Sequence, residues 1–502
     1  MTGLTTTMRA ESDALDPRRW AALTVLLVGA FLAPLDFFIV NVAMPSITSG
    51  LGASAAEVQL VISGYAVVYA VFLITGGRLG DLFGRKSVFL VGLAGFAFAS
   101  ALCGLAWSPT TLIMGRLLQA LAAAAMAPQA LASVHALFPA QERGRALSIY
   151  GVTLGLSSIA GQLLGGALVG ADIGGFGWRL IFLINLPIAA AAFVAALPLL
   201  RETRGGTRPR LDFGGVLLSA AALTALVLPL IEGRERGWPW WSIALLLTAP
   251  LFAEAFRRYE IRLARLGGEP LVAIDVFQSP GLLRGLGAIA TLYALAAFFL
   301  TFSIYLQAGL GRTAFEAGLA ILPFSIGFLL GSSASPIVGR RMGLAAPSVG
   351  FVLSAAGLVA LASVVLLTPA ALAPPFAPLA AALLMIGLGM GTSIPTMVRV
   401  VVERVAQHRA GLVGGMVNST LQVSAAIGVA VLGGLFYAIL GQRADPPAVA
   451  HAFAITMLAV AACHGVGALL AAGLGQRRHV AARSAKAQNG AGVCEAGNSG
   501  RA

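Results

Sequence analysis

Two charged side chains interrupt long apolar stretches of this 502-residue chain, where each could carry chemistry. Asp36 lies within the first stretch and Arg116 within a later one. A carboxyl group in apolar surroundings is costly to ionise, which suits the reversible binding of a proton. An arginine at such a depth must face polar partners. The two residues therefore predict proton uptake and release beside a fixed positive charge.

A structural role is the alternative for each residue. Asp36 could serve helix packing through a hydrogen bond with Asn41, five residues further along. Arg116 could extend its guanidinium group towards the membrane surface, with its methylene stem in the apolar region. The sequence leaves both alternatives open.

The elements that must position these residues are apolar segments of membrane-spanning length. A helix needs about 20 apolar residues to cross a hydrocarbon core of roughly 30 Å. The segments lack the alternation of barrel strands, which favours helices. We predict spans at residues 20–46, 57–79, 87–107, 109–137, 146–170, 178–199, 212–231, 239–257, 284–308, 316–339, 344–368, 377–400, 409–440 and 449–474.

The predicted fold class is an all-α polytopic membrane protein with fourteen spans. An even number of spans places both termini on the same side. Most of the 33 Lys and Arg residues then fall in loops on that side, which the positive-inside rule assigns to the cytoplasm. We therefore predict cytoplasmic termini and a multi-pass protein of the inner, or plasma, membrane.

Composition excludes several classes of function. Hydrophobic residues make up 58% of the chain and charged residues 11%, so lipid bilayer is the expected solvent. The net charge of +13 comes from arginines between apolar segments, which does not indicate nucleic-acid binding. Three distant cysteines predict neither a disulfide framework nor a metal site. Nucleotide-binding, zinc-protease and serine-hydrolase motifs are missing, so we expect no enzyme activity and no cofactor.

A weak internal repeat predicts two halves. Gly80–Lys86 reads GDLFGRK and Gly339–Ala345 reads GRRMGLA, with glycines in matching positions. Such repeats are common in transporters, with substrate bound between them at the membrane midplane. The predicted regions are a cytoplasmic segment 1–19, a six-helix half 20–199, a linker with two inserted helices 200–283, a second six-helix half 284–474 and a disordered cytoplasmic tail 475–502.

The loop after helix 2 carries a compact group of glycines and charges. Gly76–Lys86 reads GGRLGDLFGRK, in which glycines permit close helix packing and tight turns. This block resembles the signature loop of the major facilitator superfamily. The resemblance implies a conformational-gating role for Gly77, Asp81, Gly84, Arg85 and Lys86.

Further blocks resemble the fourteen-helix drug:proton antiporter family of that superfamily. They include LDFFIVNVAMPSI from Leu35, WRLIFLINLPI from Trp178, LDFGG from Leu211 and GLVGGMVNSTLQ from Gly411. The resemblance implies the major facilitator fold, ion-coupled export and a bacterial inner membrane. It also implies that the helix-1 acid carries the proton.

Helices 4 and 5 match the family's pattern with departures. The resemblance carries Arg116 and Gln119 over as functional residues, although Ala120 replaces the family's usual glycine. Helix 5 keeps the antiporter-type glycines Gly161, Gly165 and Gly166, which predict close packing. Gln162 stands where the family has proline, and we expect its side chain to contact substrate.

Polar residues within apolar runs are candidates for the substrate cavity, although a local hydrogen bond between helices is as good an interpretation of each. In the matching family Arg usually precedes the helix-13 glutamine, where this chain has Leu421. The candidates are Asn41, Gln59, Tyr65, Gln119, Gln162, Tyr293, Tyr305, Gln307, Asn418 and Gln422.

The predicted function is proton-coupled efflux of drugs or amphipathic small molecules by alternating access. The expected partners are a small-molecule substrate, protons and lipid, and the expected state is a monomer without nucleic acid or metal. Export of one metabolite or natural product is an alternative. Uptake of a nutrient and a non-transporting sensor of the same fold are two others.

Overall fold

The computed structural model describes residues 17–203, 211–268, 270–272, 281–369, 373–404, 410–441, 443 and 445–496. Those residues form helices joined by short turns, with no strand among them. Helix is the expected outcome, because a spanning helix satisfies its own backbone hydrogen bonds in lipid. The all-α class predicted from the sequence is confirmed.

The first half and the inserted pair run up and down in sequence order. Ser54 and Ser108 form capping boxes that start α2 and α4, and Gly52 ends α1 with a left-handed φ of 63°. The helices are α1 Arg19–Leu51, α2 Ala55–Phe83, α3 Arg85–Gly104, α4 Pro109–Leu137, α5 Ala140–Ala171, α6 Gly177–Leu199, α7 Phe213–Glu235 and α8 Trp240–Arg265.

The second half contains six further helices, two of which include a π-helical turn. Such turns are rare and occur often at functional sites. They lie at Tyr305–Gly309 and Val429–Gly433. The helices are α9 Leu282–Gly309, α10 Ala314–Ala320 with Leu322–Met342, α11 Ala346–Leu367, α12 Phe376–Val402, α13 Ala410–Gly428 continued by the π turn and Gly434–Leu440, and α14 Pro446–Ala496.

Twelve stretches of the described residues are long and apolar enough to cross a membrane. One of them, Ala314–Leu367, is 54 residues long and contains both α10 and α11. The helix α8 is not among the twelve. The total of fourteen spans and the cytoplasmic termini therefore stay predictions.

Two hydrophobic cores hold the bundle together. The first is built from α1 to α7 with a few residues of α9 and α13, and the second from α9 to α14. The most extensive contacts between helices are those of α12 with α10 and α11, and those of α4 with α2 and α3. Each half thus has its own core, and α1, α2 and α5 contact the second half along the line between them.

The last helix extends to Ala496, whereas the sequence predicts a disordered tail from residue 475. Residues 476–488 are mostly alanine, arginine, lysine and glutamine, which are among the best helix formers, and Gly490 and Gly492 follow near the end of the helix. No proline interrupts them, so the helix continues past the predicted span.

Candidate functional site

Asp36 and Arg116 meet in the interior of the first half. Asp36 lies midway along α1, and Arg116 lies two turns into α4. The guanidinium group donates to Asp36 Oδ2, and both side chains are inaccessible to solvent. The sequence predicted a charge on α4 that interacts with the proton site, and the structure brings the two residues together as a buried ion pair.

Gln119 completes a three-residue ring around this pair. Its Nε2 donates to Asp36 Oδ1 over 2.8 Å, while its Oε1 accepts from Arg116 Nη1 over 2.6 Å. The two residues on α4 are three apart, so they project from one face of the helix towards α1. A buried charge pair is tolerated only when further hydrogen bonds satisfy it, and Gln119 supplies them from both ends.

Two members of the site were not singled out from the sequence. Asn185 on α6 donates from Nδ2 to Asp36 Oδ1 over 3.1 Å, and Ser100 on α3 accepts from Gln119 Nε2 over 2.8 Å. Asn185 lies within the WRLIFLINLPI block, where it is the one polar residue between Leu180 and Ile188. An asparagine in an apolar run was its only signal. Four helices, α1, α3, α4 and α6, therefore determine the surroundings of one carboxylate.

Tyr65 covers the guanidinium group of Arg116. The Tyr65 ring centre lies 4.1 Å from the Arg116 Cζ, a cation–π distance. Arg116 Nε also donates to the Val61 carbonyl over 3.3 Å. These contacts hold the charge within the helix bundle, so the structure does not support the alternative of an arginine extended to the membrane surface.

Glycines of α5 allow that helix to approach the Asp36 segment of α1. A Cβ atom at Gly161 would lie 2.8 Å from the Leu35 carbonyl oxygen, and one at Gly165 would lie 2.9 Å from the Ile39 oxygen. Gly166 faces the other way, with the Ala314 carbonyl at 2.5 Å. The three glycines thus pack α5 against α1 on one side and against α10 on the other.

Three of the polar residues predicted for the cavity, Asn41, Gln162 and Gln59, are buried in different surroundings. Asn41 donates to the Phe37 carbonyl of its own helix over 2.8 Å. Gln162 is buried where α5 crosses α10, with its backbone oxygen against Gly318. Gln59 is buried beside Gly433 of α13, and neither of its amide atoms has a hydrogen-bond partner among the described residues.

Gln307 and Tyr305 at the end of α9 have different surroundings. Gln307 Nε2 donates to the Val42 carbonyl of α1 over 2.9 Å and so joins the two halves. Tyr305 instead stacks on Phe453 of α14 with ring centres 4.8 Å apart, inside the second core. Tyr305 thus packs within the second core, and its predicted contact with substrate stays a prediction.

Asn418 and Gln422 remain candidates for contact with substrate. Both lie on α13, are half-buried, and make no side-chain hydrogen bond within the described residues. Tyr293 on α9 is also half-buried and lies near Tyr69 and Tyr150, which come from α2 and α5. These tyrosines bring hydroxyl groups from both halves to one region.

The loop between α2 and α3 is held by charged groups. Arg85 pairs with Asp81 over 3.0 Å and donates to the Ala132 carbonyl over 3.0 Å. Gly84 turns the chain with φ at 102°, which suits glycine. Lys86 Nζ donates to the Leu197 carbonyl over 2.7 Å, so the loop is tied to α4 and α6.

Gly76 and Gly80 bring α2 onto α4. A Cβ atom at Gly76 would lie 2.0 Å from the Ala124 carbonyl oxygen, and one at Gly80 would lie 1.9 Å from Gln129 Oε1. At Gly77 the nearest atom, in Pro128, is 3.7 Å away, an ordinary contact. The reason is helical periodicity, because residues four apart share a face.

An ion pair joins α1 and α5 at the end of the bundle where α1 begins, which we call the near end. Arg19 donates two hydrogen bonds of 2.8 Å to the Glu142 carboxylate. These bonds lower the pKa of Glu142, which precedes the spanning part of α5. We call the opposite end, where Gln307 meets Val42, the far end.

Comparison with known proteins identifies the family. The model of the Major Facilitator Superfamily matches residues 26–429. This chain belongs to the Major Facilitator Superfamily. The Probable actinorhodin transporter of Streptomyces coelicolor is 36% identical over 85% of this chain and 74% of its own. The Tetracenomycin C resistance and export protein of Streptomyces glaucescens is 34% identical over 86% and 78%.

The Puromycin resistance protein pur8 of Streptomyces alboniger is 36% identical over 91% of this chain and 90% of its own. Among solved structures, a bacterial homolog to the human lysosomal transporter Spinster superposes with a TM-score of 0.63 at 18% identity. That alignment covers 91% of this chain and 97% of the other, and at this identity it shows the fold alone.

The superfamily transporter is therefore a multi-pass membrane protein and not an enzyme. Its relatives are resistance and export proteins, which confirms the prediction of a drug-efflux family. The roles assigned to individual residues stay predictions.

Proposed function

We propose that this transporter exports small molecules across the plasma membrane in exchange for protons. The observation that carries the proposal is the Asp36 carboxylate, buried in α1 and held by Arg116, Gln119 and Asn185. A proton added to Asp36 weakens its attraction to the guanidinium group, and the surrounding hydrogen bonds must rearrange. One proton thereby changes the contact between α1 and α4.

Alternating access follows from the contacts between the halves. At the far end Gln307 contacts Val42, and α5 contacts α10 at Gly166. We assign this conformation a closed far end, facing the cell exterior, and a near end in the cytoplasm. Movement of α1 and α5 on proton exchange would separate these contacts and open the far end.

The proposed substrates are uncharged or weakly charged aromatic natural products, including antibiotics. Three relatives are named for actinorhodin, tetracenomycin C and puromycin. Phe38 and Phe299 meet between the halves with ring centres 5.0 Å apart, and Tyr69, Tyr150 and Tyr293 form a second group of rings drawn from both halves. Aromatic rings and hydroxyl groups suit flat molecules with hydrogen-bonding edges.

Inside-out vesicles containing the purified transporter test this proposal. A proton gradient, acidic inside, is imposed, and uptake of tetracenomycin C is compared with uptake of the cationic dye ethidium. Gradient-driven uptake of tetracenomycin C in preference to ethidium is expected. If the transporter instead exports one other metabolite, neither tetracenomycin C nor ethidium should be taken up.

A non-transporting sensor is the second candidate function. It predicts that a compound binds the folded protein but does not cross the membrane under any gradient. The polar network around Asp36 argues against it, because a sensor needs no buried ionisable pair in its first helix.

A further inference from the structure

The two inserted helices carry a second pair of buried ionisable groups. Asp212 immediately precedes α7, and Glu260 lies in the last two turns of α8, beyond the predicted span 239–257. Glu260 is fully buried and Asp212 is 5% exposed. Neither takes part in the Asp36 network. Neither forms a salt bridge within the described residues, and buried carboxyl groups without one need another way to be neutralised.

The two carboxyl groups point at each other. A Cβ atom built at Gly215 would lie 2.3 Å from Asp212 Oδ2 and 2.4 Å from Glu260 Oε1, so both oxygens converge on one point. Glu260 Oε1 has no hydrogen-bond donor in the described structure. Two carboxylate oxygens are both acceptors, and they attract each other only when one carries a proton.

The two carboxyl groups also hold a short strap, residues 270–272, that follows α8. The Leu271 N–H donates to Asp212 Oδ2 over 3.2 Å, and the Val272 N–H donates to Glu260 Oε2 over 2.7 Å. The Pro270 carbonyl accepts a hydrogen bond from Arg78 of α2. The carboxyl pair is therefore connected through the strap to the end of α2 that bears the gating loop.

We propose that Asp212 and Glu260 form a second proton-binding site that holds one proton between them and fastens the inserted helices to α2. With the proton in place, the pair accepts both strap N–H groups and carries one negative charge. Loss of that proton puts two negative charges in contact, which pushes the carboxyl groups apart and loosens the strap. The site thus links cytoplasmic pH to the anchorage of α2.

The surrounding groups agree with a shared proton. Burial and then the hydrogen bond to Asp212 raise the pKa of Glu260 from 4.5 to about 8, against lowering influences from the Val272 N–H hydrogen bond and from Arg78. Burial acts to raise the pKa of Asp212. Four hydrogen bonds outweigh burial and lower that pKa, and their donors are Glu260, Gly215, Tyr259 and Leu271. Glu260 is thus the member that holds the proton.

The sign of the pH effect follows from the raised pKa. The folded state holds the Glu260 proton more tightly than the unfolded state does, so this group stabilises the fold fully below its usual pKa of 4.5. The stabilisation is lost as the pH rises through about 8. Alkaline pH should therefore loosen the inserted helices.

Infrared spectroscopy of the full-length transporter in lipid nanodiscs tests the site without any transport assay. The C=O stretch of a protonated carboxyl group is followed as the pH rises through about 8. Wild type should lose one such band over that range. Glu260→Gln, whose amide can donate to Asp212 and preserve the contact, should show no such band from this site. The same band in Glu260→Gln would overturn the proposal.

Thermal unfolding of the same samples supplies the second measurement. The unfolding temperature of wild type should fall as the pH rises through about 8, and that of Glu260→Gln should not. Glu254→Gln is the matched control, because Glu254 lies on the same helix but is paired with Arg257 and Arg258 at 2.7 Å on the surface. Equal pH dependence in Glu260→Gln and wild type would contradict the proposal.

Discussion

Asn185 donates a hydrogen bond from Nδ2 to Asp36 Oδ1 over 3.1 Å, which joins α6 to α1 at the buried carboxylate. The same oxygen accepts from Gln119, so two amides share it. Neutral donors stabilise the ionised form without adding charge, and they fix the direction in which the carboxylate points. The site is therefore a network in which each helix limits the movement of the next.

Removal of the Asn185 amide tests this network. Asn185→Leu leaves one oxygen of Asp36 with a single donor, and a hydrogen bond to a charged group contributes about 1.5–3 kcal/mol. We expect a loss of stability of that order in thermal unfolding and a slower gradient-driven transport. Asn418→Leu is the control for stability, because no hydrogen bond of the Asn418 side chain exists in the described structure. Equal stability of the two variants would contradict the account.

The packing of α5 on α1 gives a second prediction. In Gly161→Ala the added methyl group would lie 2.8 Å from the Leu35 oxygen, and overpacking of this kind costs about 1–3 kcal/mol. Gly151→Ala is matched, since it adds the same atom to the same helix with nothing within 4 Å. We expect Gly161→Ala to lower the unfolding temperature and Gly151→Ala to leave it unchanged or raise it. The reverse order would refute the proposed contact.

The crossing of α2 and α4 gives a third prediction. Gly76→Ala would place a methyl group 2.0 Å from a backbone oxygen of α4. In Gly77→Ala the nearest atom to the added methyl group would be 3.7 Å away, which is an ordinary contact. We expect Gly76→Ala to reduce the amount of folded transporter in the membrane and Gly77→Ala to be tolerated, measured by size-exclusion chromatography of a fluorescent fusion. A strong folding defect in Gly77→Ala alone would contradict this packing, while the gating role that the resemblance implies for Gly77 stays a prediction.

A disulfide across the far end tests alternating access. A Cβ atom at Gly170 would lie 3.4 Å from the Phe315 Cβ, close to the separation of about 3.8 Å found in disulfides. Oxidation of the double variant Gly170→Cys with Phe315→Cys should lock α5 to α10 and stop transport, and reduction should restore it. The single variants are the controls. Full transport with the cross-link formed would show that this end need not open.

Much of the fold could be predicted from the sequence because the membrane restricts the choice. Apolar runs of sufficient length had to be helices, and the glycines Gly161, Gly165 and Gly166 indicated close packing. The prediction was weaker where one residue has two suitable surroundings. From the sequence, Tyr305 could line a cavity or stack in a core. Its stacking on Phe453 depends on the position of a distant helix, which the sequence does not show.

The site itself was predicted in part for the same reason. Asp36 and Arg116 were evident, since a charge in an apolar run is costly and therefore noticeable. Asn185 and Ser100 are uncharged and common in such runs, so their role depends on α3 and α6 being adjacent to α4 and α1. Asp212 and Glu260 were not connected either, because the packing of α7 against α8 brings together residues that are far apart in sequence.

The central claim is that Asp36 carries the coupled proton. Asp36→Asn keeps the size of the side chain and its hydrogen bonds with Gln119 and Asn185, but it cannot bind and release a proton. In inside-out vesicles, we expect this variant to bind tetracenomycin C while a proton gradient no longer drives its uptake, with Glu254→Gln behaving as wild type. Gradient-driven uptake by Asp36→Asn at the wild-type rate would contradict the account and place the coupled proton elsewhere.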